Sequence, residues 1–271
     1  MKSPADLILK MHWIGVHPTP NWALKTYLDV FDQHFPELAP HQWGRPRRPL
    51  DAAARTILLS DKLPDIYIHL WHRQIVKRAK IRFPFIVDAD TLEIRPDTSS
   101  TYSINCMLQI SLKSLEMSLR RVEDLLVKMA DALGAELAVC YKYEDIVGEN
   151  ISNKEFTRLM RLENSYYHGA SIYGLPEQST WLLWLGERFS TQMNEWLQES
   201  APTDWEIRQT ERGTFVKISS EPTSPTEQPK TWFPRSYLPR RTIFGNVKPA
   251  KTLPRLAGVY GKRNSKLPQH P

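Results

Sequence analysis

The sequence predicts an α+β protein: a mainly antiparallel sheet with helices packed on one face, followed by an extended, proline-rich, basic C-terminal arm. Three observations carry this expectation. From Tyr102 to Leu112 the even positions are apolar (Tyr102, Ile104, Leu108, Ile110, Leu112, with Cys106 between) and the odd ones mostly polar, the period of a half-buried strand. Directly after it, Leu115, Leu119, Val122, Leu126, Met129 and Leu133 follow at spacings of four and three, which lines one side of a helix. Finally, residues 228–271 hold ten Lys or Arg and no Asp or Glu, with prolines throughout. That leaves 26 basic against 30 acidic residues in 1–227, so a chain of net charge +6 divides into a body of −4 and a basic arm.

The elements follow in order. "LILKMHWIG" (7–15) is a first strand. Asn21 is placed to cap "WALKTYLDVFDQHF", whose apolar side would hold Trp22, Tyr27, Leu28, Phe31 and Phe35. Residues 36–50 contain four prolines and the cluster Arg45, Arg47 and Arg48, and read as a loop. "LDAAARTILLS" suits a short helix, and "DIYIHLWH" and "IRFPFIVD" suit two strands that would pair as a hairpin across "RQIVKRAK". Gly134 is the expected C-cap of the helix that starts near Leu115. "ELAVCYKY" (136–143) is a further strand, and Ser152 with Glu155 forms a capping-box pattern before "NKEFTRLMRLEN". "STWLLWLG" is a buried strand. "ERFSTQMNEWLQES" is a helix with Phe189, Met193, Trp196 and Leu197 on one side, and "DWEIRQTERGTFVKIS" is a hairpin turning at Arg212-Gly213. Residues 219–230 form a low-complexity linker. A helix after an early strand, followed by two more strands, is readable in both halves of the body, about 1–95 and 100–220, without a residue-level repeat. The domain expectation is therefore a globular body over 1–227 and an arm over 228–271 packed on it.

Composition excludes several classes. No apolar run reaches the roughly 20 residues that span a bilayer. The opening "MKSPADLILKMHWIGVHP" lacks a small-residue cleavage site and is interrupted by Lys10 and His12. Two cysteines, Cys106 and Cys140, both in strand patterns, are fewer than a secreted scaffold uses, which points to a reducing cytoplasm. The 11 glycines form no phosphate-binding loop and no dinucleotide fingerprint. His69 and His72 are the best metal-ligand pair, but an offset of three sends strand side chains to opposite faces, so both are expected to be structural or surface histidines. Pro64-Asp65 and Pro96-Asp97 echo a nuclease metal site, yet Asp88, Asp90 and Glu93 lead to Arg95 where a lysine is required. His168 in "NSYYHGAS" has no nucleophile or carboxylate beside it in sequence. The expectation is no catalytic residue, no metal and no cofactor.

Aromatic residues among charges instead suit a protein contact. Tyr143, Glu144, Asp145 and Glu149 follow the strand 136–143, and Tyr166, Tyr167 and His168 share a loop; these seven are the expected partner-binding residues. The arm carries Trp232, Phe233, Tyr237, Leu238, Ile243, Phe244 and further apolar residues, more than a disordered nucleic-acid tail would hold, so it is expected to pack on the body and direct nucleic-acid binding is expected to be weak.

The succession "TYSINCMLQISLK", "SLEMSLRRVEDLLVKMADALGAELAVCYKY", "ASIYGLPEQSTWLLWLGERFSTQMNEWLQE" and the terminal hairpin resembles bacterial immunity proteins of polymorphic and type VI secretion toxin systems, and within these the immunity family numbered fifty-two. The similarity covers about residues 100–220, with the first strand and helix. It implies a cytoplasmic protein that binds a cognate antibacterial toxin, of nuclease type, and neutralises it by stoichiometric occlusion. A body of only −4 departs from the strong acidity of nucleic-acid mimics and favours occlusion by shape. Two alternatives stay open: a nucleic-acid-associated protein using the basic arm with Arg45, Arg47 and Arg48, and a hydrolase with an unrecognised site.

Overall fold

The structure, a computed structural model, describes residues 8–17, 20–44, 46–60, 67–72, 87–88, 90–96, 102–112, 118–143, 175, 180–223, 233–238, 240–241 and 247–248. It is an α+β fold, and every strand pairing among these residues is antiparallel. The strands are β1 (Ile8–His17), β2 (Pro40–Trp43), β3 (Arg48–Pro49), β4 (Tyr67–His72), β5 (Val87–Asp88), β6 (Asp90–Pro96), β7 (Tyr102–Ser111), β8 (Leu137–Tyr143), β9 (Leu182–Gly186), β10 (Glu206–Gln209) and β11 (Gly213–Lys217). They join one eleven-stranded sheet in the order β10-β11-β9-β8-β1-β7-β6-β4-β2-β3, with β5 also on β7. A separate two-stranded ladder pairs β12 (Arg240–Arg241) with β13 (Val247–Lys248). The helices are α1 (Pro20–His34), α2 (Ala52–Leu58), α3 (Leu119–Ala132) and α4 (Glu187–Glu199).

The first strand of the chain lies in the middle of the sheet. β1 pairs with β7 from Ile8↔Ser111 to His17↔Tyr102 and with β8 from Ile8↔Tyr143 to Ile14↔Leu137. Helix α3 carries the chain from β7 over β1 to β8. Helix α4 does the same from β9 to β10, on either side of β11.

Strand alternation divides the interior in two. Leu9, Met11 and Trp13, with Cys106, Leu108 and Ile110, and with Ala138, Cys140, Leu182, Trp184 and Phe215, face α1, α2 and α3. Leu137, Val139, Tyr141, Leu183, Leu185 and Val216 face the other way, against Phe189, Met193 and Leu197 of α4. Helices therefore cover both faces of the sheet, which corrects the expectation of one helical face. The reason is written in β9: all of Leu182–Gly186 is buried, and a strand apolar on both sides has to be covered on both.

Buried tryptophans lock the layers. Trp13 donates its indole N–H to the Leu126 carbonyl of α3 at 3.0 Å, and Trp184 donates to the Ala135 carbonyl at 3.1 Å. A buried indole without an acceptor would be costly, so each bond fixes how a strand packs on α3 or on the turn that follows it, as well as filling volume. Helix α3 ends as its sequence requires. Gly134 takes φ of 54°, its N–H reaches the Asp131 carbonyl at 3.1 Å, and the Ala135 N–H reaches the Ala130 carbonyl at 2.8 Å. At its other end Arg121 lies over the Phe35 ring at 4.3 Å, bonds Glu37 at 3.0 and 3.3 Å, and donates to the His34 carbonyl at 2.6 Å. One side chain thus ties the start of α3 to the end of α1.

Two local expectations change. Helix α1 starts at Pro20, so Asn21 lies inside it, and Trp22 is 41% exposed while Ala23, Leu24, Tyr27, Leu28, Phe31 and Phe35 are buried. Proline suits a first helical turn, where no N–H partner is needed. The loop expected over 36–50 contains β2 and β3, which pair through Gln42↔Pro49 and Trp43↔Arg48 around Gly44, whose φ is 77°. Among the described residues β4 lies between β2 and β6 while β5 joins β7; residues 81–86 of the expected hairpin lie outside the described residues.

Candidate partner-binding surface

The β10–β11 hairpin is set by its turn. The Thr210 N–H bonds the Gly213 carbonyl at 2.9 Å, and the Thr210 hydroxyl donates to the same carbonyl at 3.0 Å. Only glycine fits at 213: a Cβ there would stand 2.3 Å from the Leu185 carbonyl oxygen and 2.9 Å from the Trp184 ring. With Thr210 and Gly213 as a bonded pair, alternation makes Arg208↔Phe215 and Glu206↔Lys217 bonded pairs as well. Ile207 and Gln209 consequently turn their N–H and C=O groups away from β11. Among the described residues β10 is the end of the sheet, and no described strand pairs with these groups.

The side chains of Glu206 and Arg208 lie on the α3 side. There they meet Glu123, a carboxylate only 7% exposed. Lys217 Nζ reaches Glu123 at 2.7 Å and Glu206 at 3.9 Å. Arg208 reaches Glu123 at 3.5 Å and Glu206 at 3.1 Å, with its guanidinium 4.3 Å above the Phe215 ring. Lys217, held by two carboxylates, offsets the burial of Glu123. Around this network opens a cleft of about 450 Å³ whose charged walls are Arg120, Glu123, Asp124, Glu206, Arg208 and Lys217. Three cations face three carboxylates, so the cleft has no net charge. Arg120 and Asp124 make no ion pair among the described residues, and both line its mouth.

Two titratable groups elsewhere are shifted. Burial raises the Glu136 carboxyl above its ordinary value, with Arg188 at 3.5 Å opposing the shift. Burial likewise pushes the Cys140 thiol well above its ordinary value, which disfavours the thiolate that reacts. Cys106 and Cys140 are free and buried. His12 is fully buried and hydrogen-bonded to the Tyr141 hydroxyl at 3.2 Å. Among the described residues no group of three or more His, Cys, Asp or Glu is placed to hold a metal.

His72 lies in the core, with Nδ1 on the Leu38 carbonyl and Nε2 3.3 Å from the Tyr27 hydroxyl, while the backbone of His69 stands opposite Thr91 on β6. Asp88, Asp90 and Glu93 are spread along β5 and β6 opposite Gln109, Leu70 and Tyr67 respectively. Of the seven expected partner-binding residues, Tyr143 ends β8 opposite Ile8, and Glu144, Asp145, Glu149, Tyr166, Tyr167 and His168 lie outside the described residues. The Glu123–Arg208–Lys217 cluster was not among the expected sites. Its hairpin half was legible only in part: a turn at 212–213 would set Arg208 against Lys217, whereas the observed turn at Glu211-Arg212 sets Glu206 there. Glu123 comes from 94 residues away and gives no local signal.

No known protein family matches the chain, and no curated protein does. A T6SS protein of Pseudomonas aeruginosa is similar in structure: TM-score 0.53 and 10% sequence identity, over 80% of this chain and 70% of that one. At that identity the likeness shows a common fold. No helix among the described residues is long and apolar enough to cross a membrane.

Proposed function

We propose that this chain is an immunity protein of a type VI secretion system: it binds a cognate antibacterial effector, of nuclease type, and blocks it by stoichiometric occlusion, without catalysis of its own. The observation that carries the reading is the fold held in common with a T6SS protein across 80% of the chain. Support comes from the chemistry of the cleft. Its Glu123 and Glu206 neutralise Arg208 and Lys217, an arrangement that holds a surface rigid. A preorganised surface of this kind loses little entropy on docking a protein.

The test is co-expression of the full chain with the toxin-like product of the neighbouring reading frame. A stable one-to-one complex by size exclusion and native mass spectrometry, together with rescue of growth, is the expected result. Separate elution with no rescue removes the proposal. Hydrolytic turnover by the purified chain would replace it with an enzymatic one.

A further inference from the structure

We infer that the free edge of β10, with the charged cleft beside it, is a docking site for an extended segment of a partner protein, which would add to the sheet as a twelfth strand. The inference rests on the immunity reading for who the partner is, and on the geometry below for how it binds.

Two independent features converge. The first is the backbone. Ile207 and Gln209 direct both their N–H and C=O groups outward, a set of four groups that pairs naturally with another strand. The second is the cleft of about 450 Å³, whose walls include the side chains of that same edge strand. In a strand added antiparallel, like every other pairing in the sheet, the residues opposite Ile207 and Gln209 form the main-chain bonds. Those opposite Glu206 and Arg208 send their side chains to the α3 side, over the cleft.

Charges on an edge strand usually obstruct pairing. Here they are drawn aside. Arg208 lies flat over Phe215 and reaches back to Glu123, and Lys217 is held by Glu123 on the next strand in. The cleft then specifies the incoming sequence. Opposite Arg208 an acidic residue is favoured; opposite Glu206, a basic one. Read along an antiparallel strand, that is an acid and then a base two positions later, among β-branched residues.

The test uses the full chain and synthetic peptides of about ten residues, rich in Val and Thr, carrying Glu-x-Lys at the centre, with Lys-x-Glu peptides of the same composition as comparison. The expected results are saturable binding of the Glu-x-Lys series, weaker binding of the reversed series, and slowed hydrogen exchange at the Ile207 and Gln209 amides. Gln209→Pro deletes one outward N–H at an edge position where proline is tolerated, and should weaken binding by about tenfold. Gln209→Ala keeps that N–H and should bind like the unaltered chain. Equal binding by Gln209→Pro, no preference between the two peptide orders, no peptide binding, or occupation of the edge by a second copy of this chain would each overturn the inference. The outcome is separable from the effector test: a complex with the effector without peptide binding removes the strand-addition mode alone, and peptide binding without an effector complex removes the immunity reading alone.

Discussion

The two faces of the sheet are closed by different means. On the α1–α3 face three helices lie over the sheet, and most buried residues come from an element with a plain period. On the α4 face one helix does not suffice. Phe233, from the segment after the 219–230 linker, inserts between Trp196 and Trp205 with ring centroids 5.0 and 5.1 Å away, Tyr237 adds a contact to Trp196 at 6.2 Å, and Leu175 bonds the Tyr237 carbonyl through its N–H at 2.9 Å. This face also buries Lys10 and His12, on the strand whose other side carries Leu9, Met11 and Trp13. A face covered by periodic elements is fixed by secondary structure. A face with too few helices recruits aromatic anchors from segments that have no periodic pattern at all.

The contrast is breakable. Trp13→Ala should have the largest effect, about 4–5 kcal/mol in denaturant unfolding, because it empties the centre of the first core and leaves the Leu126 carbonyl without its donor. The loss should be global. Phe233→Ala should cost about 3 kcal/mol and act locally. Hydrogen exchange should quicken in α4 while α1 and α3 keep their protection, and a uniform loss across all helices would mean that the two faces are one cooperative unit. Glu123→Gln should cost about 1–2 kcal/mol, since Lys217 and Arg208 then lose their common counter-charge while keeping some access to water; thermal melts at neutral pH would register it. The smallest effect is electrostatic. Burial holds the Glu136 carboxyl above its ordinary value, so the folded chain keeps this proton at pH values where the unfolded chain has released it. Stability from this group therefore falls as pH rises through the range just above that of an ordinary glutamate. Glu136→Gln should flatten that fall, and an unchanged slope of stability against pH would contradict the assignment.

Much of the fold was legible. The alternation over 102–112 became β7, with Cys106, Leu108 and Ile110 buried, and the four-three spacing became α3, buried at Val122, Leu126, Met129 and Leu133. Gly134 ends that helix where expected; the hairpin forms as expected but turns at Glu211-Arg212, one residue before the expected Arg212-Gly213, with Gly213 already in β11. The candidate site was legible in part. Arg208 and Lys217 belong to a hairpin whose register the turn dictates, but the carboxylate that organises them sits on α3 beside the apolar stripe, where a glutamate reads as a solvated neighbour.

By itself, then, the sequence determined most of the local elements, the glycine end of α3 and the existence of one hairpin, because these depend on contacts a few residues apart with a fixed period. The tertiary structure decided the rest: that β1 is central between β7 and β8, that β4 pairs with β6 and β5 with β7, that α4 crosses to the opposite face, that Arg121 finds Glu37, and that Glu123 finds Lys217. Each of these joins residues far apart along the chain. Their pairing is chosen by which arrangement buries the two-sided strand β9 and pairs most buried polar groups at once, a condition on the whole molecule that no short window of residues contains.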